Sequence, residues 1–260
     1  MSLIQTRRRF LATLSLTGAA GFLPASIPRA GAAERELETT SVRLAKIPVI
    51  CFAPQYVCEA LLRAEGFTDV RYVDTTPPAL CEDLGRGRFD FGSHLSLDHI
   101  GAIDAGVPIT ILTGVHAGCY ELFAHGEIRG IADLKGKSVG MVGTPLLMDT
   151  LAAYVGLEPK IDLTVVADPA AKPLELFAQG KLDAYLAFPP APQELHARKV
   201  GHVILRTAVD RPWSQYFCCT LAGNREFVVR YPTATKRVIR AFLTHRSAAL
   251  PSAMTTRCRP

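Results

Sequence analysis

"FDFGSHLSLDHIGAIDAGVPITILTGV", residues 89–115, carries a strand, a helical stretch and a second strand in immediate succession. "FDFGS" (89–93) and "ITILTGV" (109–115) have the aromatic and β-branched residues of strands. "HLSLDHIGAIDAG" between them has the length of a helix and ends on glycine. Strands joined through helices of this length run parallel, so the expected fold class is α/β, with helices covering both sheet faces.

The same alternation runs outward in both directions. "VRLAKIPV" (42–49) reads as a strand, "PQYVCEALLRAEG" (54–66) as a helix with proline near its start and glycine at its end, and "VRYVD" (70–74) as a strand. Downstream, "SVGMVG" (138–143), "IDLTVVA" (161–167), "DAYLAF" (183–188) and "HVILRT" (202–207) are strands. "TPLLMDTLAAYVG" and "KPLELFAQGK" are helices between them. In open α/β sheets ligands bind beyond the carboxyl ends of strands, where helix N-termini offer free N–H groups. The junctions to watch are therefore "PVICFAP", "GSHLS", "VGTPLL" and "AFPPAPQ".

The chain has 260 residues and a formal net charge of +5. Residues 1–32 hold Arg7, Arg8, Arg9 and Arg29 and no acid, which leaves the remainder close to neutral. A nucleic-acid partner is not expected, because no basic face with interleaved aromatics remains. The apolar run from Phe10 to Leu23 is too short to span a bilayer and is followed by the small residues Ala30-Gly31-Ala32. Thr6-Arg7-Arg8-Arg9-Phe10-Leu11 resembles a twin-arginine export motif, read through Arg7 and Arg8, with removal expected near Ala32 and the periplasm as destination. The seven cysteines (51, 58, 81, 119, 218, 219, 258) form no CxxC pair, and buried free thiols are the expectation for them.

Three further segments carry a family resemblance. "GIADLKGKSVGMVGTPLLMDTLAAYVGL" (130–157), "PLELFAQGKLDAYLAFPPAPQEL" (173–195) and "GNREFVVRYPTATKRVIRAFL" (223–243) resemble solute-binding proteins of the nitrate, sulfonate and taurine type, relatives of the thiamine-pyrimidine group. The resemblance implies a two-lobed periplasmic-binding-protein (type II) fold, each lobe a mixed, mostly parallel sheet flanked by helices. It places one lobe at 42–118 and 216–243 and the other at 120–212, joined by crossovers near "GCYELFA" and "YFCCTLAG". It implies capture of a small molecule between the lobes, delivery to an ABC permease in the inner membrane, no cofactor and no catalysis. Residues 244–260, "THRSAALPSAMTTRCRP", depart from the pattern as a short polar tail, expected to be a truncation or frame shift.

Candidate ligand contacts follow from these junctions. Ser93 and His94 end a strand and open a helix, at a pocket rim; capping by Ser93 with a solvated His94 is the plainer alternative. At about 100° per residue, Leu97, Ile100, Ile103 and Val107 form the core face. His94 and Asp98 share a side, while His99 lies about 140° from His94, so the three cannot close on one metal. His99 and Asp104 are expected on the surface. His116 and Tyr120 flank the first crossover, and Gly143 and Thr144 begin a helix suited to an anion or a carbonyl oxygen. Phe52 and Phe188 stand at equivalent strand ends, and Trp213 and Tyr216 precede the return crossover as an aromatic wall.

No GxSxG elbow, HExxH or GxxxxGK phosphate loop is present. Two other readings stay open: a pyrimidine-precursor synthase of the same fold, faintly suggested by Cys218-Cys219, and a periplasmic sensor domain.

Overall fold

The computed structural model describes residues 35–248. The expected export signal with Arg7 and Arg8, Cys258 and the tail from 249 onward lie outside the described residues. The first lobe opens with β1 (Ser41–Lys46), α1 (Ala53–Val57), α2 (Glu59–Ala64) and β2 (Asp69–Asp74). The single helix expected over 54–66 is broken at Cys58, whose ψ of −1° tightens the chain by a turn. Next come α3 (Leu80–Gly85), β3 (Phe91–Leu95), α4 (Ser96–Asp104) and β4 (Ile109–Ala117).

The second lobe follows as β5 (Glu121–Ala124), β6 (Lys137–Met141), α5 (Leu146–Tyr154), α6 (Pro159–Asp162), β7 (Leu163–Val166), α7 (Pro173–Ala178), β8 (Ala184–Ala187), α8 (Ala191–Arg198) and β9 (His202–Arg206). β10 (Phe217–Asn224) then returns to the first sheet and leads into α9 (Arg225–Arg230) and α10 (Pro232–Ala248).

The strand orders are β2-β1-β3-β10-β4 and β7-β6-β8-β5-β9, the same topology twice. β10 pairs antiparallel with both β3 and β4, and β5 pairs antiparallel with both β8 and β9. The other four strands of each sheet run one way, as helical crossovers require. The mixed, mostly parallel sheet that the resemblance implies is thus met, with one reversed strand in each sheet. β5 and β10 are the first strands after each change of lobe, so no helix reverses them before they pair. Each lobe is thus a mixed, mostly parallel sheet with flanking helices.

Each lobe has its own core. Leu44, Leu62, Phe67, Phe91, Leu221 and Val238 are buried together in the first. Leu122, Val139, Met148, Leu151 and Leu186 are buried together in the second. α10 buries Ala234, Val238, Ala241 and Phe242 at helical spacing and runs to Ala248. Helix thus continues for five residues into the stretch expected to be an irregular polar tail. Among the described residues no helix is long and apolar enough to cross a membrane.

Candidate functional site

β3 lies two residues later than the sequence suggests, because Phe89 is spent in the core and Asp90 takes the Arg43 backbone N–H (2.7 Å) and guanidinium (2.6 Å). His94 is consequently a strand residue, and α4 starts at Ser96 with no side-chain cap. Ser93 is buried, and its hydroxyl has no partner, so it caps nothing. The Leu95 N–H donates to His94 Nδ1 (2.6 Å), and His94 Nε2–H donates to the Pro77 carbonyl (2.9 Å). Both ring nitrogens are thereby used within the protein.

The later helix start also turns α4. His99, expected on the surface, is fully buried, and its Nδ1 meets the Thr220 hydroxyl at 2.8 Å. Ile100, expected in the core face, is 54 % exposed, whereas Asp104 is exposed as expected. Burial, helped by the nearby His94, lowers the His99 pKa to about 3, so the ring is neutral. Its Nε2 has no partner.

The lobes meet along these strand ends. Leu97 and Trp213 pack against the second lobe's core, where Leu95 is itself a buried member. Phe188, from the end of β8, packs against the first-lobe cluster that contains Cys51 and Phe52. Tyr120 leans on Phe188 with ring centres 5.3 Å apart, and Trp213 meets Tyr154 edge-on at 5.1 Å. Asp98 of α4 faces His94 at 3.4 Å and Thr144 across the cleft. Burial raises its pKa, and His94 and Thr144 only partly offset that. Gly143 holds a left-handed φ of 102° in the turn before α5, and the Thr144 hydroxyl accepts the Leu146 N–H at 3.3 Å. Phe52, His116, Tyr120, Phe188 and Trp213 thus lie near the crossovers, Thr144 faces Asp98, and Tyr216 is 64 % exposed.

The crossovers also gather a group the sequence reading left scattered. His116, on β4, sits directly opposite Cys219 on β10. The register slips between Phe217 and Cys219, making Cys218 an extra residue. Neighbours in a regular strand face opposite ways. A bulge re-aims one of them, and here Cys218 and Cys219 both approach His116. Cys51 and Cys119 complete the cluster: Cys119 Sγ is 2.9 Å from Cys218 Sγ and 3.7 Å from Cys51 Sγ. Thiol hydrogen bonds from Cys119 and Cys219 hold Cys51 and Cys218 well below the ordinary thiol range, and the Cys119 and Cys219 thiols are pushed up in turn. Burial lowers the pKa of His116, but Cys51, the Ala117 carbonyl and the charge on Cys218 outweigh it, and the net shift is upward.

Two α/β lobes of identical strand order, joined by two crossovers with their strand ends facing, define the type II periplasmic-binding-protein fold. The chain belongs to the NMT1-like family, whose model matches residues 35–254. No curated protein matches it. Among solved structures it is similar to the alkanesulfonate-binding protein SsuA from Xanthomonas axonopodis pv. citri bound to MOPS, at 19 % identity and a TM-score of 0.62, covering 86 % of each chain. It is also similar to the periplasmic nitrate-binding protein NrtA from Synechocystis PCC 6803, at 18 % identity and a TM-score of 0.65, covering 84 % of this chain and 64 % of that one. The periplasmic aliphatic sulphonate binding protein SsuA from Escherichia coli resembles it at 19 % identity and a TM-score of 0.64, covering 80 % and 74 %.

Proposed function

We propose that the chain is an exported solute-binding protein that closes its lobes over a small molecule and presents it to an ABC permease of the inner membrane. The observation that carries this reading is the interlocking of the facing strand ends: Phe188 reaches into the first lobe's cluster and Leu97 packs on the second's. A ligand that touches both lobes at such a seam favours the closed arrangement. The relatives named as periplasmic or alkanesulfonate-binding proteins support the class. Catalysis has no comparable support.

Lobe limits of 42–118 with 216–243, and of 120–212, belong to this proposal. So do the contacts Phe52, Ser93, His94, His116, Tyr120, Gly143, Thr144, Phe188, Trp213 and Tyr216. These contacts include no lysine or arginine, which suits an uncharged or aromatic, nitrogen-containing ligand better than nitrate or a sulfonate. Truncating Trp213 to alanine should weaken binding by about 1–3 kcal/mol, the usual cost of losing an aromatic anchor. The check is calorimetric titration with whatever molecule mass spectrometry finds bound after purification. Unchanged affinity would remove Trp213 from the site. Export is part of the same reading: Arg7→Lys with Arg8→Lys should leave unprocessed precursor in the cytoplasm, as fractionation would reveal, since the receptor reads the pair rather than its charge. Normal processing of that variant would exclude the twin-arginine route.

A further inference from the structure

We propose that Cys51, His116, Cys119, Cys218 and Cys219 form a binding site for one thiophilic d10 metal ion, copper(I) or zinc(II), where the two crossovers meet. Three distant stretches of chain supply the donors: the turn after β1, the end of β4 with the first crossover, and the start of β10. The donor atoms of Cys51, His116 and Cys219 all lie within 4.8 Å of one another, and so do those of His116, Cys119 and Cys218. His116 belongs to both sets, so a single ion is expected, held by His116 and no more than three of the four sulfurs at a time.

Three details fit a metal better than idle thiols. First, two sulfurs on one tetrahedral zinc stand about 3.8 Å apart, given Zn–S bonds of about 2.3 Å, and Cys51 and Cys119 are already at 3.7 Å. Cys119 and Cys218, at 2.9 Å, are closer than that and would part on binding. Second, His116 Nδ1 lies 3.1 Å from the Ala117 carbonyl, which fixes Nδ1 as the donor and leaves Nε2 as the free lone pair. That Nε2 is buried without a hydrogen-bond partner, among the sulfurs. Metal-bound histidines are oriented in this way by a carbonyl on the far nitrogen. Third, the bulge that adds Cys218 brings both adjacent cysteines to the cluster. Sulfur and imidazole donors exclude calcium and magnesium, which take oxygen, and select soft ions.

The test uses the full chain, kept reduced and stripped with a chelator. It is titrated separately with zinc(II) and copper(I), each against a chromophoric competitor, and the two arms decide between the ions. One equivalent should bind with at least one of them. His116→Ala and Cys218→Ser should each weaken it by about 10- to 100-fold or more. Cys58→Ser, in the same lobe but outside the cluster, should change nothing. Should a cluster variant fail to fold, alkylation of the parent serves instead: the ion should protect Cys51, Cys119 and Cys218 from iodoacetamide, but not an added model thiol. Binding indifferent to His116→Ala and Cys218→Ser would overturn the proposal. So would uptake of iron(II) alone, or a Cys119–Cys218 disulfide without metal in chain alkylated at lysis. Solute binding is measured separately, and the site does not rest on it.

Discussion

Lowering the pH from about 6.5 to about 3 should cost the folded protein about 1.4 kcal/mol per pH unit through His99 alone. The ring is fully buried, and its folded-state pKa is pushed from 6.5 down to about 3. Above 6.5 the ring is neutral in both states, and its contribution is fully present. Between 6.5 and 3 the unfolded chain takes up a proton that the folded chain refuses, so stability drains away as the pH falls. Below about 3 the folded ring protonates too, and the loss levels off. The full span reaches about 5 kcal/mol, comparable with the whole stability of many domains. Urea unfolding across this range should give the parent a pH slope steeper by about one proton than that of His99→Leu with Thr220→Val. That double variant removes the ring together with its hydroxyl partner, so no polar group is stranded. Equal slopes would mean that the buried ring is not held neutral.

Gly118→Ala should be the most damaging single methyl addition at the crossovers. A Cβ there would fall inside the van der Waals radii of the Thr207 carbonyl carbon and oxygen and of the Ala208 nitrogen. These are backbone atoms, so no rotamer change relieves the overlap. The segment cannot drift away either: the Thr207 hydroxyl meets the Tyr120 N–H and carbonyl at 3.0 Å each, and the Thr207 N–H donates to the same carbonyl at 3.0 Å. Overpacking costs about 1–3 kcal/mol where side chains can adjust. Here about 3 kcal/mol or more is expected, a fall in Tm of about 6–12 °C for a chain of this size. Gly130→Ala is the control, because its Cβ would meet nothing within 4 Å and its φ of −157° suits any residue. Matching melting curves for the two variants would show that the first crossover is not clamped against Thr207.

The strand–helix alternation made the α/β class legible from the sequence, because hydrophobic period and Gly/Pro punctuation are local signals. The resemblance implied mixed sheets without naming the reversed strands; these are β5 and β10, since direction in a sheet depends on where the chain last crossed between lobes. His99 was misread for a smaller reason. The helix was started at His94, two residues too early, and a buried histidine bonded to Thr220 leaves no local mark. The thiol cluster needed the fold itself. Cys51, Cys119 and Cys218 are separated by 68 and 99 residues, and spacing rules for metal motifs search far shorter windows. The sequence did hold one usable hint: His116 and Cys119 flank one crossover while Cys218 and Cys219 begin the return. That Tyr120, Phe188 and Trp213 stand at strand ends and crossovers was legible from their places in the sequence.

Solute capture is tested most directly by titrating the parent chain, in a calorimeter, with the molecule that mass spectrometry finds bound to it after purification. The account predicts saturable binding of one molecule per chain, with the molecule recovered chemically unchanged. Conversion of the titrant to a new compound, or no saturable heat from any molecule that co-purifies, would contradict it.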